Sequence, residues 1–262
     1  MSSAMTGAYA GVADAWAAGP ARVYDVLAER IVAHCPDEVA GSPVLDAGAG
    51  TGAASRALLR RGARPTGVDS APDMVASMRA AGITAVVGDL LAMPFEDASF
   101  DGAVAAFAIS HVEKPQRALA EMRRVVRRGG FVVSGGFAAA SPDESKTVID
   151  AAAMRFGYEY PEWYLRFKEQ IEPLVSDPVA LTRFAQEAGL GDARVVEETV
   201  DTGVREPEAI VAARLGMAHV APWVATLTAE QRTALVTAAV RMLGPDPAPI
   251  RRTILVLTGV VP

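Results

Sequence analysis

The sequence predicts an α/β fold in which a mostly parallel sheet is flanked by helices. Between Ser42 and Phe137, short apolar runs alternate with amphipathic helical segments, and this alternation is typical of parallel strands joined by crossover helices. Two further apolar runs near the end of the chain extend the sheet. A chain of 262 residues is long enough for one large domain with insertions, so we expect residues 1–262 to form a single domain.

The strands are predicted from apolar runs bounded by turn residues. They lie near 43–47, 65–69, 84–88, 101–106 and 130–135, then near 193–200 and in the segment RRTILVLTG at 251–259. Glycine commonly ends a helix because it adopts a left-handed conformation without strain. On that basis helices are predicted over 53–61 before Gly62, over 72–81 between the cap Ser70 and Gly82, and over 115–128 before Gly129, and another in the segment DPVALTRFAQEAGL at 177–190, with Gly189 at its end.

Two segments depart from the sheet pattern. Residues 141–178 are helical in period but crowded with aromatic side chains, and residues 205–249 separate the last two strands by far more than a hairpin loop. Thr228 and Gln231 have capping-box spacing and predict a helix that closes at Gly244. We expect helical lid segments at about 1–35, 141–178 and 204–249 over a core at about 41–140, 179–203 and 250–262. Insertions at a sheet end commonly build pockets, and a cap that only stabilises the fold is the alternative.

Composition narrows the class of protein. A net charge of −6 gives no electrostatic footprint for nucleic acid. The single cysteine, Cys35, excludes an internal disulfide framework and fits a reducing compartment, where we expect it to be packed in a core. Neither a secretory leader nor an apolar run of membrane-spanning length is visible. We therefore expect a cytoplasmic protein that binds neither nucleic acid nor membrane.

The stretch VLDAGAGTG, Val44 to Gly52, places three glycines on alternate positions. A strand that turns through glycines into a helix presents backbone N–H groups and a surface without side chains to a ligand. Gly48-x-Gly50-x-x-Ala53, with Asp69 after the next strand, also satisfies the dinucleotide fingerprint. A nicotinamide-dependent oxidoreductase is therefore one interpretation.

Acidic residues at the strand ends favour a different nucleotide. Asp46 precedes the first glycine by two residues, where its charge would repel a pyrophosphate but attract an ammonium group. Asp69 and Asp89 follow the next two strands in the same way. This pattern indicates a nucleotide that carries a cationic amino acid.

Four segments, VLDAGAGTG, GVDSAPDMV, GDLLAMPFEDASFDGAVAAFAISHV and RALAEMRRVVRRGGFVVSG, resemble in order and spacing the core of class I S-adenosylmethionine-dependent methyltransferases. The resemblance is strongest to the small-molecule group that includes the ubiquinone and menaquinone methylases. It implies a Rossmann-like, seven-stranded, mostly parallel sheet with a reversed last strand, helices on both faces and helical lid insertions. It also implies S-adenosylmethionine as cofactor, S-adenosylhomocysteine as product and in-line methyl transfer to a small organic acceptor.

The resemblance assigns cofactor-binding roles to individual positions. Asp46, Ala47 and the turn of Gly48, Gly50, Thr51 and Gly52 would hold the methionine portion, and Asp69 would accept both ribose hydroxyls. Asp89, between Gly88 and Leu90, would bind the adenine amino group, while Ser70 and Met74 pack around the nucleoside. Ala106 would offer backbone groups to the amino acid end, and Tyr9 in GAYAGVADAW would close over the cofactor. The structural alternative is that Asp46 and Asp69 are caps and Asp89 begins a turn.

A base is useful when the acceptor is a hydroxyl or an acidic carbon. His111 in FAISHV follows the fourth strand, where relatives often place a histidine that faces the acceptor, and His219 lies in the insertion. Either could instead cap a helix or pack under the lid. The histidines and acids give no metal-ligand cluster, so we expect no catalytic metal.

The accessory segments concentrate aromatic and methionine side chains that suit a large apolar acceptor or ordinary helix packing. They are Met154, Phe156, Tyr158, Tyr160, Trp163, Tyr164, Phe167, Met217 and Trp223. Arginine greatly outnumbers lysine, which hints at a GC-rich genome and makes a secondary-metabolite acceptor plausible. Alternatives to methyl transfer are a cyclase that keeps the cofactor site without transferring the methyl group, the oxidoreductase already mentioned and a non-catalytic binding module.

Overall fold

The computed structural model describes Gly7, residues 9–141 and residues 143–262. Within these residues seven strands form one sheet in the order β3-β2-β1-β4-β5-β7-β6. β7 runs antiparallel to both of its neighbours, and the other pairs are parallel. The predicted seven-stranded sheet with a reversed last strand is confirmed. The strands are β1 Pro43–Ala47, β2 Arg64–Asp69, β3 Thr84–Val87, β4 Phe100–Ala106, β5 Val126–Phe137, β6 Gly191–Asp201 and β7 Arg251–Val260.

Helices cover both faces of the sheet, as the buried, apolar central strands require. Leu27 and Leu58, from α2 and α3, join the apolar layer on one face together with the accessory helices. Leu119 and Leu181, from α5 and α9, join the layer on the other face. The core helices are α1 Ala13–Ala18, α2 Pro20–Val32, α3 Ala53–Arg60, α4 Pro72–Ala80, α5 Pro115–Val125 and α9 Pro178–Glu187, with short 3₁₀ turns at Asp37–Val39 and Ile109–His111.

Two predicted boundaries are wrong. Helix α5 ends at Val125 instead of residue 128, because Val126 already pairs with Phe100 of β4 and begins the long strand β5. The N-cap of α4 is Ala71, in extended conformation before Pro72 at the first helical position, and not Ser70. Strand pairing sets the end of α5, and the extended backbone before Pro72 sets the start of α4. Neither feature can be seen in the local sequence alone.

The accessory segments are helical, as expected. The first contains α6 Glu144–Arg155, α7 Glu162–Arg166, a π-helical turn over Phe167–Ile171 and α8 Glu172–Val175. The second contains α10 Pro207–Leu215, α11 Ala221–Thr226 and α12 Ala229–Leu243, whose predicted capping box and closing Gly244 are both present. Among the described residues, no helix combines the length and apolarity needed to cross a bilayer.

A buried ion pair joins the two accessory segments. Arg214 on α10 donates to both carboxylate oxygens of Asp150 on α6, each at 2.7 Å. The hydroxyl of Tyr160 donates to the same carboxylate at 2.6 Å. Because the two charged side chains are only 10% and 7% exposed, this cluster fixes α6 and α10 relative to each other.

Candidate active site

A cavity of about 750 Å³ lies at the carboxyl ends of the parallel strands. In an open α/β sheet this edge, where the strand order reverses beside β1, is the usual place for a ligand. Asp46, Asp69 and Asp89 all line this cavity. The three acids predicted from separate strand ends are therefore brought to one hollow, which we call the cofactor cavity.

Two glycines of the turn, Gly48 and Gly50, line the cofactor cavity, and Gly52 lies behind its wall. Gly48, Gly50 and Gly52 have φ values of +69°, +54° and +90°, which residues with a side chain rarely adopt. A Cβ on Gly48 would lie 2.3 Å from the Cβ of Ala108, so that position admits no side chain. A Cβ on Gly50 would have no heavy atom within 4 Å, so the backbone there borders open space that a ligand can fill.

Asp46 lies at the base of the cavity and is only 1% exposed. Its Oδ2 accepts hydrogen bonds from the backbone N–H and the hydroxyl of Ser55, at 2.8 and 2.7 Å, in the first turn of α3. Burial raises the pKa of Asp46 to about 6, although these hydrogen bonds oppose the rise. Asp46 therefore accepts a hydrogen bond from one of the otherwise unpaired N–H groups at the start of α3 and is also a lining residue of the cavity.

Asp69 connects the second strand to the glycine turn. Its Oδ2 accepts from the backbone N–H of Gly50 at 2.8 Å, and its Oδ1 accepts from that of Ala71 at 2.9 Å. Each oxygen keeps a second lone pair, so two hydroxyl donors can still bind. Burial raises the pKa of this carboxyl, and hydroxyl donors supplied by a ligand would oppose that rise by stabilising the ionised form.

The other predicted cofactor residues divide into two groups. The first group lines the cofactor cavity and comprises Tyr9, Thr51, Ser70, Met74, Leu90 and Ala106. The second group, Ala47, Gly52 and Gly88, does not line the cavity. Ala47 is fully buried, while the absent side chains of Gly52 and Gly88 leave room for Met78 and Pro94, respectively. These three positions therefore lie behind the residues that line the cavity and contact buried side chains.

Asp89 is exposed at the rim of the cavity. Its Oδ1 accepts from the backbone N–H of Leu91 at 2.9 Å, as a residue that begins a turn does. This turn aims the side chain of Leu90 into the cavity wall beside it.

Tyr9 and His111 meet at one end of the cofactor cavity although they are 102 positions apart. The Tyr9 hydroxyl and His111 Nε2 are 3.2 Å apart, and Phe167 stacks on the imidazole with ring centroids 4.8 Å apart. Burial lowers the pKa of His111 to about 4. Nδ1 of His111 is buried and has no hydrogen-bond partner among the described residues.

A second cavity of about 210 Å³ adjoins the first. The two share a wall of four aromatic or imidazole side chains, Tyr9, Tyr24, Phe107 and His111. The accessory segments supply much of the remaining lining, including Trp163, Tyr164, Phe167, Met217 and His219. We call this space the acceptor-side cavity.

The acceptor-side cavity is smaller and more polar than the sequence suggests. Of the nine aromatic and methionine side chains named from the accessory segments, four line it: Trp163, Tyr164, Phe167 and Met217. Tyr158 is buried in the core and donates to the carbonyl of His219 at 3.2 Å, while Met154 is 46% exposed. Ordinary packing therefore explains the rest of that set.

His219 borders only the acceptor-side cavity and not the cofactor cavity. The histidine is 3% exposed, and its ring lies parallel to Tyr164 with centroids 3.7 Å apart. Burial and the nearby cations Arg214, Lys146 and Lys168 lower its pKa to about 2. The imidazole is therefore neutral at physiological pH.

Phe107 is a site residue that sequence reasoning does not identify. It directly follows β4 with φ at +64°, a left-handed conformation that is strained for a bulky residue. Its N–H donates to the carbonyl of Gly135 at 2.8 Å, and its ring packs against Tyr24 and Phe137. These contacts hold the strained residue in place, with its aromatic ring between the two cavities. A backbone angle of this kind leaves no signal in the sequence.

The order of the sheet and the glycine turn flanked by Asp46 and Asp69 are the features of class I S-adenosylmethionine-binding α/β proteins. Residues 45–134 match the family model described as "Methyltransferase domain", so this part of the chain is a class I S-adenosylmethionine-dependent methyltransferase domain, and it resembles the quinone methylases. Among curated relatives, a demethylmenaquinone methyltransferase of Renibacterium salmoninarum is 35% identical over 128 residues, which cover 48% of this chain and 54% of that protein. The chain thus spans about half the length of the curated relatives it matches.

Solved structures show the same fold at low sequence identity. Phosphoethanolamine N-methyltransferase 2 of Haemonchus contortus, in complex with phosphomonomethylethanolamine and S-adenosylhomocysteine, aligns at 18% identity and a TM-score of 0.53, covering 90% of this chain and 52% of that one. The [4+2]-cyclase SpnF aligns at 21% identity and a TM-score of 0.55, covering 91% and 81%.

The residues of the cofactor cavity fit S-adenosylmethionine, the cofactor of this family. The open space beside Gly50 admits a ligand against the backbone, Asp69 retains acceptor capacity for a pair of hydroxyls, and Asp46 supplies a carboxylate for an ammonium. A pyrophosphate would meet the same carboxylate unfavourably, so the arrangement argues against the nicotinamide interpretation.

Proposed function

We propose that this protein transfers the methyl group of S-adenosylmethionine to a small organic acceptor bound in the acceptor-side cavity, by in-line displacement. The observation that supports this proposal is the shared wall of Tyr9, Tyr24, Phe107 and His111 between the two cavities. A cofactor on one side and an acceptor on the other would meet there. The activated sulfonium methyl supplies the chemistry, so the protein needs chiefly to orient the acceptor and exclude water.

The proposed roles of the cofactor residues follow their positions. Asp46 and the turn through Gly48 and Gly50 hold the amino acid portion, and Asp69 binds the ribose hydroxyls. Asp89 and Leu90 contact the adenine, with Ser70, Met74, Thr51 and Ala106 completing the lining. In this proposal residues 1–262 act as one domain, since the core and the accessory segments both contribute to the cavities.

His111 is proposed as the base for an acceptor that must lose a proton. Its lowered pKa keeps the imidazole neutral near pH 7, so an unprotonated nitrogen is present there, while the same burial makes it a weaker base than an ordinary histidine. The role requires the tautomer in which Nε2–H donates to the Tyr9 oxygen, which leaves Nδ1 free to receive the proton. Tyr9 then acts as a positioning residue.

Water is kept from the shared wall by the accessory segments and the amino-terminal residues. Backbone N–H groups of Gly11 and Ala13 donate to Asp73 at 3.0 and 3.3 Å, which fastens Tyr9 and α1 over the cavity. At the mouth, Arg166 on α7 pairs with Glu113 at 2.7 Å. We propose that these contacts close the lid over both ligands.

The test is transfer of an isotope-labelled methyl group to a panel of hydroxylated and amino-substituted aromatic acceptors. We expect labelled product with the unaltered protein and a large loss of turnover in His111→Phe, with binding of S-adenosylhomocysteine retained. Full conversion of an acceptor to a product without label would instead exclude methyl transfer and favour a non-methylating enzyme, such as the cyclase alternative. Titration with S-adenosylhomocysteine and with NADH separates the oxidoreductase, because only one should bind in the micromolar range.

A further inference from the structure

We propose that the acceptor is a compact aromatic acid whose carboxylate binds Lys146 and whose ring and remaining polar group lie against the cavity side of Tyr164, Phe167 and His219. This inference rests on the proposed function, because it names the substrate class of the acceptor-side cavity. Three observations on that cavity support the inference: the balance of its charged side chains, an unpaired histidine nitrogen and its aromatic lining.

The charged side chains of the acceptor-side cavity leave a positive excess. Lys168 pairs with Glu172 and Arg252 with Asp143, all four of them in the cavity lining. Arg214 pairs with Asp150 behind the lining. In the part of the chain that the structure describes, Lys146 forms neither an ion pair nor a side-chain hydrogen bond. A partly buried ammonium group that borders a cavity without an internal counter-ion favours an anionic ligand.

The second feature is the unpaired nitrogen of His219. Its Nε2 is buried without a hydrogen-bond partner among the described residues, although the histidine is only 3% exposed. Leaving such an atom unpaired is costly, so a ligand group that bonds to it would gain affinity. The parallel ring of Tyr164 and the Tyr158 hydroxyl on the His219 carbonyl keep the imidazole in place.

Aromatic side chains and cavity size indicate the body of the ligand. Trp163, Tyr164 and Phe167 line the acceptor-side cavity. Because His219 covers a face of Tyr164 and His111 a face of Phe167, these side chains favour edge-to-face contact with a planar ring. A volume of about 210 Å³ exceeds the roughly 150 Å³ of an engineered cavity that binds benzene. It suits one substituted ring and excludes a long or polycyclic acceptor unless the lid opens.

The experiment compares acids with their uncharged isosteres. Calorimetric titrations use meta- and para-hydroxybenzoate and the matching hydroxybenzamides, on the protein alone and saturated with S-adenosylhomocysteine. We expect at least one acid to bind about tenfold more tightly than its amide, the scale of a charge-assisted hydrogen bond. Equal affinity of acid and amide, or no binding of any acid up to about 1 mM, would overturn the proposal.

Two variants assign the preference to Lys146. In Lys146→Met we expect the acid to bind about tenfold more weakly while the amide is unaffected. The control Arg183→Met removes an exposed cation on α9, outside both cavities, and should preserve the preference. A loss of affinity for acid and amide alike in Lys146→Met would contradict the assignment.

The outcome is separable from that of the proposed function. Binding of S-adenosylhomocysteine should be the same in Lys146→Met and the unaltered protein, because Lys146 does not line the cofactor cavity. If an acid binds selectively but receives no labelled methyl group, methyl transfer fails while the ligand class stands. If a neutral acceptor is methylated and no acid binds, the ligand class fails while the transfer stands.

Discussion

Asp69 is the residue whose loss should affect cofactor binding most directly. We expect Asp69→Ala to weaken binding of S-adenosylhomocysteine by about 2 kcal/mol, since two hydroxyl donors of the ligand and the Gly50 N–H lose their acceptor. Calorimetric titration measures the change. Asp101→Ala is a matched control, because Asp101 is a β4 carboxylate paired with Arg127 and outside the cavities. Unchanged affinity in Asp69→Ala would remove this residue from ribose binding.

Asp46 should make cofactor binding depend on pH. Because burial raises its pKa to about 6, the carboxyl is mostly protonated at pH 5 and ionised at pH 7, and only the ionised form attracts an ammonium. Affinity should therefore fall by up to about tenfold per pH unit below 6 and level off above 7. Binding near pH 6 should also release a proton, which calorimetry in buffers of different ionisation enthalpy detects.

Asp46→Asn is the control for the pH profile. The amide oxygen of the asparagine can still accept the hydrogen bonds from Ser55, so the local structure is retained. The negative charge is lost. We expect weaker binding with no slope between pH 5 and 7. A slope that persists in this variant would assign the titration to another group.

The same residues show where sequence reasoning succeeds and where it ends. The position of Asp46 and Asp69 in one cavity could be predicted from the sequence. Both residues end apolar runs that predict parallel strands, and the carboxyl ends of parallel strands lie at one edge of the sheet. The contact between Tyr9 and His111 spans 102 positions, and the φ of +64° at Phe107 depends on tertiary packing. Neither leaves a local pattern in the sequence.

At the scale of elements, the strands were predicted more accurately than the junctions. Alternation of apolar runs and glycines located β1 to β4 to within one residue at either end. The segment RRVVRRGG suits both a helix end and a strand, and pairing of Val126 with Phe100 settles it as a strand. Tertiary pairing overrides local propensity at such a position.

The ion pair between α6 and α10 should contribute strongly to the stability of the two accessory segments. Asp150→Ala leaves the Arg214 guanidinium buried without its bidentate partner and should cost about 3–5 kcal/mol of the free energy of unfolding. Chemical denaturation measures this. Replacing both residues, as Asp150→Leu with Arg214→Met, should recover part of the loss because no unpaired charge remains.

An exposed pair on α9 is the matched control for that prediction. Arg183 and Glu187 are 64% and 49% exposed and 3.6 Å apart. Glu187→Ala should change stability by less than about 1 kcal/mol. Equal costs for Asp150→Ala and Glu187→Ala would show that the accessory segments do not depend on the buried pair for their stability.

At the scale of the whole molecule, the cofactor cavity joins parts that are distant in sequence. Trp16 of α1 and Arg166 of α7 line it together with the strand-end acids. A ligand that fills this cavity therefore contacts the sheet core, the amino-terminal segment and an accessory segment at once. Binding should lower the freedom of all three.

Hydrogen exchange with and without S-adenosylhomocysteine tests this coupling. At about 100 times the dissociation constant, the ligand should stabilise the fold by about 2.7 kcal/mol. We expect amides of α1 and α7 to share in the slower exchange because their opening breaks the binding site. Locally opening amides along β6, an edge strand outside the cofactor cavity, should exchange at unchanged rates. Unchanged exchange in α1 and α7 would mean that the lid opens without releasing the ligand, and the closed cavity would then not be the binding state.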